Sequence, residues 1–232
     1  MKKPEEVIRN FKKSDEALLQ QSDVKLASFI RNKSRFVERF PQLADPFAAE
    51  WKEATSKARG ILPDYASVLN QVNSTEALNA QIELGANLYQ SLLLYVRLAF
   101  SDDATALSLF GQPQYAAASR SAIKLPMLLR TAFIQASKPE YNAALTGKGM
   151  RLQEIDLLLS MADNIVDLDI EQDNAIKQRK LDAINRITAL NAVWEKITLV
   201  CFCAKLIFQK DATRYNLFLL NDGDNPEKKH EE

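Results

Sequence analysis

No proline occurs between Pro63 and Pro113 or between Pro139 and Pro226, and only six glycines are spread over the 232 residues. Sheet proteins punctuate their strands with turn residues about every 8–12 positions. Two long stretches without breakers leave helices as the economical way to satisfy the backbone. Hydrophobic residues make up 47% of the chain, enough to build a core and too many for a disordered polymer. The expectation is an all-α protein.

Within that class one stretch recurs. Residues 84–110 return as residues 192–218, with Arg97-Leu98-Ala99-Phe100-Ser101-Asp102-Asp103-Ala104-Thr105 lying over Lys205-Leu206-Ile207-Phe208-Gln209-Lys210-Asp211-Ala212-Thr213. Seven of the fourteen positions from Arg97 onward are identical, where composition alone gives roughly one. An internal duplication is therefore expected, with halves at residues 1–112 and 113–220 and a polar, disordered tail at 221–232. Each half supplies about three long helices. The expected object is an up-and-down bundle of about six long helices, two similar three-helix halves about a pseudo-twofold axis, forming one compact unit.

Local signals divide the chain further. One amphipathic helix is expected over residues 14–39, ending before Pro41. Asp45-Pro46 has the form of a cap and first helical residue for a helix over 47–61. A short helix over 64–72 is expected to stop where Asn73-Ser74-Thr75-Glu76 offers capping chemistry to a long helix ending near Phe100, with Gly85 admitting a close neighbour. Asp103 and Asp211 are expected to cap the short helices that follow the two long ones. Pro126 is expected to kink or divide a helix over 114–137. Helices over 150–166 and 176–209 are expected on either side of a solvated acidic loop at 167–173.

The chemistry that this sequence supports is limited. Its single histidine, His230, stands in the polar tail, so nucleophile–histidine pairs have no base held in a folded site. Histidine zinc sites and Glu-x-x-His di-iron sites are excluded for the same reason. Asp167-Leu168-Asp169-Ile170-Glu171-Gln172-Asp173 alternates like a calcium loop but has Gln172 where the turn glycine belongs and Gln178 where the closing glutamate belongs. Cys201 and Cys203, two apart on a helix, read as buried thiols on different faces. Thirty basic residues balance thirty acidic ones, which removes the excess that nucleic acid requires. No glycine-rich nucleotide loop is present. The start of the chain lacks a signal-peptide pattern and the apolar run at 197–208 is short for a bilayer, so a cytoplasmic protein away from membranes is expected. No metal, cofactor or catalytic residue is assigned.

The most site-like constellation is Phe110-Gly111-Gln112-Pro113-Gln114-Tyr115, followed by Arg120 and Lys124 one and two turns later. Aromatic rings beside a glycine-proline turn and two cations suit a small anion or an acidic segment. Residues 100–115, the segment 141–157 and the helix 186–208 together resemble a family of bacterial, duplicated all-helical proteins of unknown function. That resemblance implies a fold and no activity. The first functional expectation is a non-catalytic structural or protein-interaction module that self-associates, as a homodimer, through an apolar helix face. The alternative is a small-ligand or regulatory protein with its pocket at the seam of the halves, near Tyr89, Tyr115, Arg120, Lys124 and Trp194.

Overall fold

Helices account for most of the chain in the computed structural model, which describes residues 7–61 and 63–220. Among the described residues there is no strand. The elements are α1 (Asp15–Arg31), α2 (Lys33–Arg39), α3 (Phe47–Gly60), α4 (Asp64–Phe100), α5 (Ala104–Leu109), α6 (Tyr115–Ala118), α7 (Lys124–Ala136), α8 (Pro139–Gly147), α9 (Leu152–Ile207) and α10 (Ala212–Asn216), with 3₁₀ turns at Pro41–Leu43 and Gln112–Gln114. The polar tail at 221–232, with His230, lies outside the described residues.

Two compact units divide the chain at 64/65 and at 179/180. The first unit takes the chain up to residue 64 and again from residue 180; the second takes residues 65–179. The boundary between the sequence halves, 112/113, falls inside the second unit. Each unit has its own core. In the first, Leu18, Phe29, Phe36, Leu43 and Trp51 bury against Val193, Ile197, Val200 and Ala204 of α9. The second buries Tyr89, Leu92 and Val96 of α4 with Leu125, Leu129 and Ala132 of α7 and Leu158, Ala162 and Ile165 of α9. Gly85 has the close-approach role expected of it: a Cβ there would stand 3.1 Å from Ile165 and 3.3 Å from both Leu125 and Leu129.

Long helices replace several of the expected breaks, for local reasons. α4 runs unbroken through 73–76, because Ser74 and Thr75 donate their hydroxyls to the carbonyls of Asn70 and Gln71 at 2.9 Å instead of capping a new helix. α9 runs for 56 residues through the acidic stretch 167–173. No glycine or proline stands between Gly149 and Gly223, and Gln172 and Arg179 of α9 donate to Thr75 and Gln71 at 3.1 and 3.0 Å, so no loop forms there. α9 also contains an 18-residue stretch of mean hydropathy 1.4, of which 44% is buried.

Elsewhere breaks appear that periodicity hides. Residues 14–39 form two helices, because Asn32 leaves the helical region and turns its side-chain amide onto Ser28 O at 2.9 Å. Asp45 does not cap α3; it pairs with Lys33 at 2.6 Å. Pro126 is the third residue of α7, in a first turn whose N–H groups need no intrahelical acceptor, and the chain before it is divided into the 3₁₀ turn, α6 and a short connection. The capping expectation holds where it was sharpest: Asp103 accepts from Thr105 N at 2.9 Å and Asp211 from Arg214 N at 3.1 Å. The Arg214 N–H and guanidinium hold the Asp211 carboxyl below the usual range.

Burial recurs along the chain with nearly constant spacing. Leu18 and Leu125, Ser22 and Leu129, Lys25 and Ala132, and Phe29 and Ala136 are buried pairs 107 residues apart on α1 and α7. Trp51 and Leu158, Thr55 and Ala162, and Ala58 and Ile165 keep the same spacing on α3 and α9. From α4 to the later part of α9 the spacing is 108: Ile82 and Leu190, Ala86 and Trp194, Tyr89 and Ile197, Leu92 and Val200, Val96 and Ala204, then Phe110 and Phe218. Ser14 and Ser121 accept from Ala17 N and Lys124 N, each at 3.2 Å, at the starts of α1 and α7. What differs is how the chain before Phe110 and around Phe218 is tied down. In the second unit Tyr89 Oη donates to Phe110 O at 2.9 Å; in the first the buried Lys25 Nζ donates to Leu217 O and Leu219 O at 2.7 and 2.9 Å.

Candidate functional site

Two clefts of the second unit meet the chain around Gly111 and α6. Gly111 makes the turn possible: its φ is +87°, and a Cβ there would stand 2.5 Å from Leu128. The turn sends the chain through Gln112–Gln114 into α6, and α6 presents side chains to both clefts.

The first cleft, about 650 Å³, lies between the 108–118 segment and α7; Pro113, Ala117, Met127 and Leu128 give it apolar walls, with Lys124, Gln114 and Thr131 as polar groups. The second, about 520 Å³, lies between α4 and α6. Ile82 and Ala86 form its apolar floor and Asn79, Glu83, Asn87, Ser119 and Arg120 its polar rim, with Tyr115 as a wall.

Tyr115 is held in place by its neighbours. Its ring stacks on Tyr89 at 5.3 Å and 15°, and Gln90 Nε2 donates to its hydroxyl. Beneath it Tyr89 is fully buried. Burial, and secondarily Tyr115, raise the Tyr89 phenol well above its ordinary value, so it stays protonated and keeps donating to Phe110 O. The sign of the linkage follows from a raised folded-state pKa. The contribution is complete below the unfolded value of about 10 and is lost as pH rises from there toward the folded value, because the unfolded phenol ionises first. Tyr89→Phe is expected to cost about 1–3 kcal/mol by orphaning a buried carbonyl and to flatten the fall of stability above about pH 10. Urea melts at neutral and alkaline pH measure both.

No family model, curated protein or solved structure matches this chain.

Of the five residues that the sequence nominates, Tyr115 and Arg120 line one cleft, Lys124 lines the other, and Tyr89 supports Tyr115 from below. Trp194 stands apart from them, buried in the core of the first unit against Phe11 with ring centroids 6.1 Å apart. Asn79, Glu83 and Asn87 are the functional candidates that sequence reading misses. Their spacing of four puts them on one face of α4, beside the small Ala86, and that polar stripe is the only signal they give. Neither Arg120 nor Glu83 forms an ion pair or hydrogen bond through its side chain among the described residues.

Other chemistry has little to work with. Among the described residues no three His, Cys, Asp or Glu side chains gather as a metal site. Cys201 and Cys203 are both buried in the first core, and burial pushes the Cys203 thiol up, away from the reactive thiolate.

Proposed function

We propose that this chain is a non-catalytic helical interaction protein, built by duplication of one helical half, which self-associates through the outer face of α7. The observation that carries the reading is the exposure of Ile123, Met127 and Ile134, at 70, 67 and 58%. Adjacent exposed aliphatics beside an apolar cleft are costly to leave in water and favour a partner surface.

The spacing of burial along the chain supports this as a choice and not a requirement of the architecture. The residues 107 positions earlier are Glu16, Gln20 and Ala27, so the same helix position in the first unit is met with polar or small side chains. A balanced charge of thirty against thirty places no long-range repulsion between copies. The burial of apolar side chains of α9 in two cores supports a helix packed in protein, and a cytoplasmic location is part of the same proposal. The recurring Asp103 and Asp211 caps, and buried pairs 107 or 108 apart, support the duplication.

Light scattering on the size-exclusion column tests it. The wild type is expected to elute as a dimer in the micromolar range, and Met127→Glu with Ile134→Glu as a folded monomer, since both side chains are exposed and their loss leaves the core untouched. A wild type that stays monomeric at high concentration sinks the reading.

A second reading, a small-ligand protein with its pocket at the seam of the sequence halves, is favoured by one observation. The 520 Å³ cleft takes its floor from residues 79–87 of one half and its wall from residues 115–120 of the other, and its volume is that of a small-molecule site.

A further inference from the structure

We propose that the cleft between α4 and α6 binds a free aromatic amino acid, an inference that rests on the ligand reading of that seam. The argument starts from what fills the corresponding place in the first unit. There Trp194 is buried and Phe11 packs on it. Asn191 pins the segment that carries Phe11, accepting from Asn10 N at 3.0 Å and donating to Ile8 O at 2.8 Å.

In the second unit those positions read differently. Ala86 stands 108 residues before Trp194, and Ala118 stands 107 residues after Phe11. Both alanines are buried. Two aromatic side chains are thus exchanged for two methyl groups. Where the first unit has an indole, the second has an open cleft of about 520 Å³ over Ile82 and Ala86, while Ala118 lines the neighbouring cleft of about 650 Å³. Ile82 and Ala86 leave room for a ring where the first unit buries Trp194, and Tyr115 is already fixed against Tyr89 and Gln90 to form the wall, so little side-chain ordering remains to be done on binding.

The rim selects what the ring carries. Arg120 and Glu83 are opposite charges on one cleft and neither is engaged with another described side chain. Arg120 suits a carboxylate through paired N–H donors; Glu83 suits an ammonium. Asn79, Asn87 and Ser119 supply neutral donors and acceptors beside them. A ring with a zwitterionic head answers every one of these groups, whereas a plain aromatic acid leaves Glu83 without a counterpart and a neutral ring leaves both charges unanswered.

Calorimetric titration of the full chain with L-tryptophan, indole-3-propionate and indole tests the assignment. L-Tryptophan is expected to bind once per chain and at least about tenfold more tightly than the other two. Arg120→Ala is expected to weaken it about tenfold or more, and Glu83→Gln to erase its advantage over indole-3-propionate. Ala86→Trp, which places in the cleft the side chain that fills the first unit, is expected to abolish binding. If Ala86→Trp does not fold, the exposed positions 83 and 120 carry the test alone. Indole-3-propionate binding as tightly as L-tryptophan overturns the amino-acid assignment while leaving a ligand cleft. Failure of all three to bind the wild type, or undiminished binding by folded Ala86→Trp, overturns the cleft as the site.

Discussion

Residues 1–112 and residues 113–232, produced separately, are each expected to lack a cooperative unfolding transition, whereas residues 65–179 alone are expected to show one. The reason lies in how the units divide the chain. The piece 1–112 carries Phe29, Phe36 and Trp51 without the Val193, Ile197, Val200 and Ala204 that cover them. It also carries Tyr89, Leu92 and Val96 without Leu125, Leu129, Leu158 and Ile165. Each sequence half thus holds two partial cores and completes neither. Residues 65–179 hold every residue of the second core, and a chain of that size buries enough surface to fold. The expected loss for each half is the whole stability of a domain, on the order of 5–15 kcal/mol. Mixing the halves restores both cores and, with them, the transition. Circular dichroism during urea titration reads all four samples. A cooperative melt from 1–112 by itself, or none from 65–179, would show that the cores are not divided in this way.

Much of this arrangement was legible in the residues and some was not, for physical reasons that can be named. The all-α class followed from missing breakers, and the ends of α4 and α9 from the break-and-restart pattern that Asp103 and Asp211 mark as caps. Asn73-Ser74-Thr75-Glu76 misled because serine and threonine hydroxyls serve equally to cap a helix or to bond back within one; the choice depends on whether α4 is held from outside, and Gln172 of α9, donating to Thr75, lies 97 residues away. The acidic run at 167–173 misled because charge alone does not break a helix that lacks glycine and proline. The candidate site was half legible. Tyr115, Arg120 and Lys124 stood out as aromatic and cationic residues after a glycine-proline turn. Trp194 was drawn into the same site by its chemistry, although it belongs to the first unit's core. Asn79 and Glu83 give only a polar stripe on α4, and Ala86 carries no signal until it is set beside Trp194, because what distinguishes a cleft is the side chain that is missing. The register between the earlier helices was equally hidden: Leu18 and Leu125 are identical by type, but Ser22 and Leu129, or Trp51 and Leu158, share only their burial.

Those last pairs lead to the second large effect, at Trp51. Its indole N–H donates to Ser22 Oγ at 2.8 Å, Ser22 is 2.8 Å from Thr55 Oγ1, and Thr55 donates to Trp51 O at 3.0 Å. Since the Thr55 proton is committed to that carbonyl, Ser22 is the donor between the two hydroxyls, and the ring of bonds leaves no polar hydrogen of the three unpaired. All three side chains are buried. Trp51→Leu removes an aromatic ring from a closed core and withdraws the donor from Ser22, which together cost about 3–5 kcal/mol. The second unit fills the positions 107 residues later with Leu129, Leu158 and Ala162, a wholly apolar solution to the same packing problem. Transplanting that solution as Ser22→Leu, Trp51→Leu and Thr55→Ala removes the hydroxyls together with the donor, and the added leucine at 22 takes up part of the volume that the indole vacates. The triple variant is therefore expected to be more stable than the sum of its single changes predicts, by a coupling of about 1–3 kcal/mol. Urea denaturation of the three single variants and the triple measures that coupling, and strict additivity would mean that the three residues are neighbours without acting as one network.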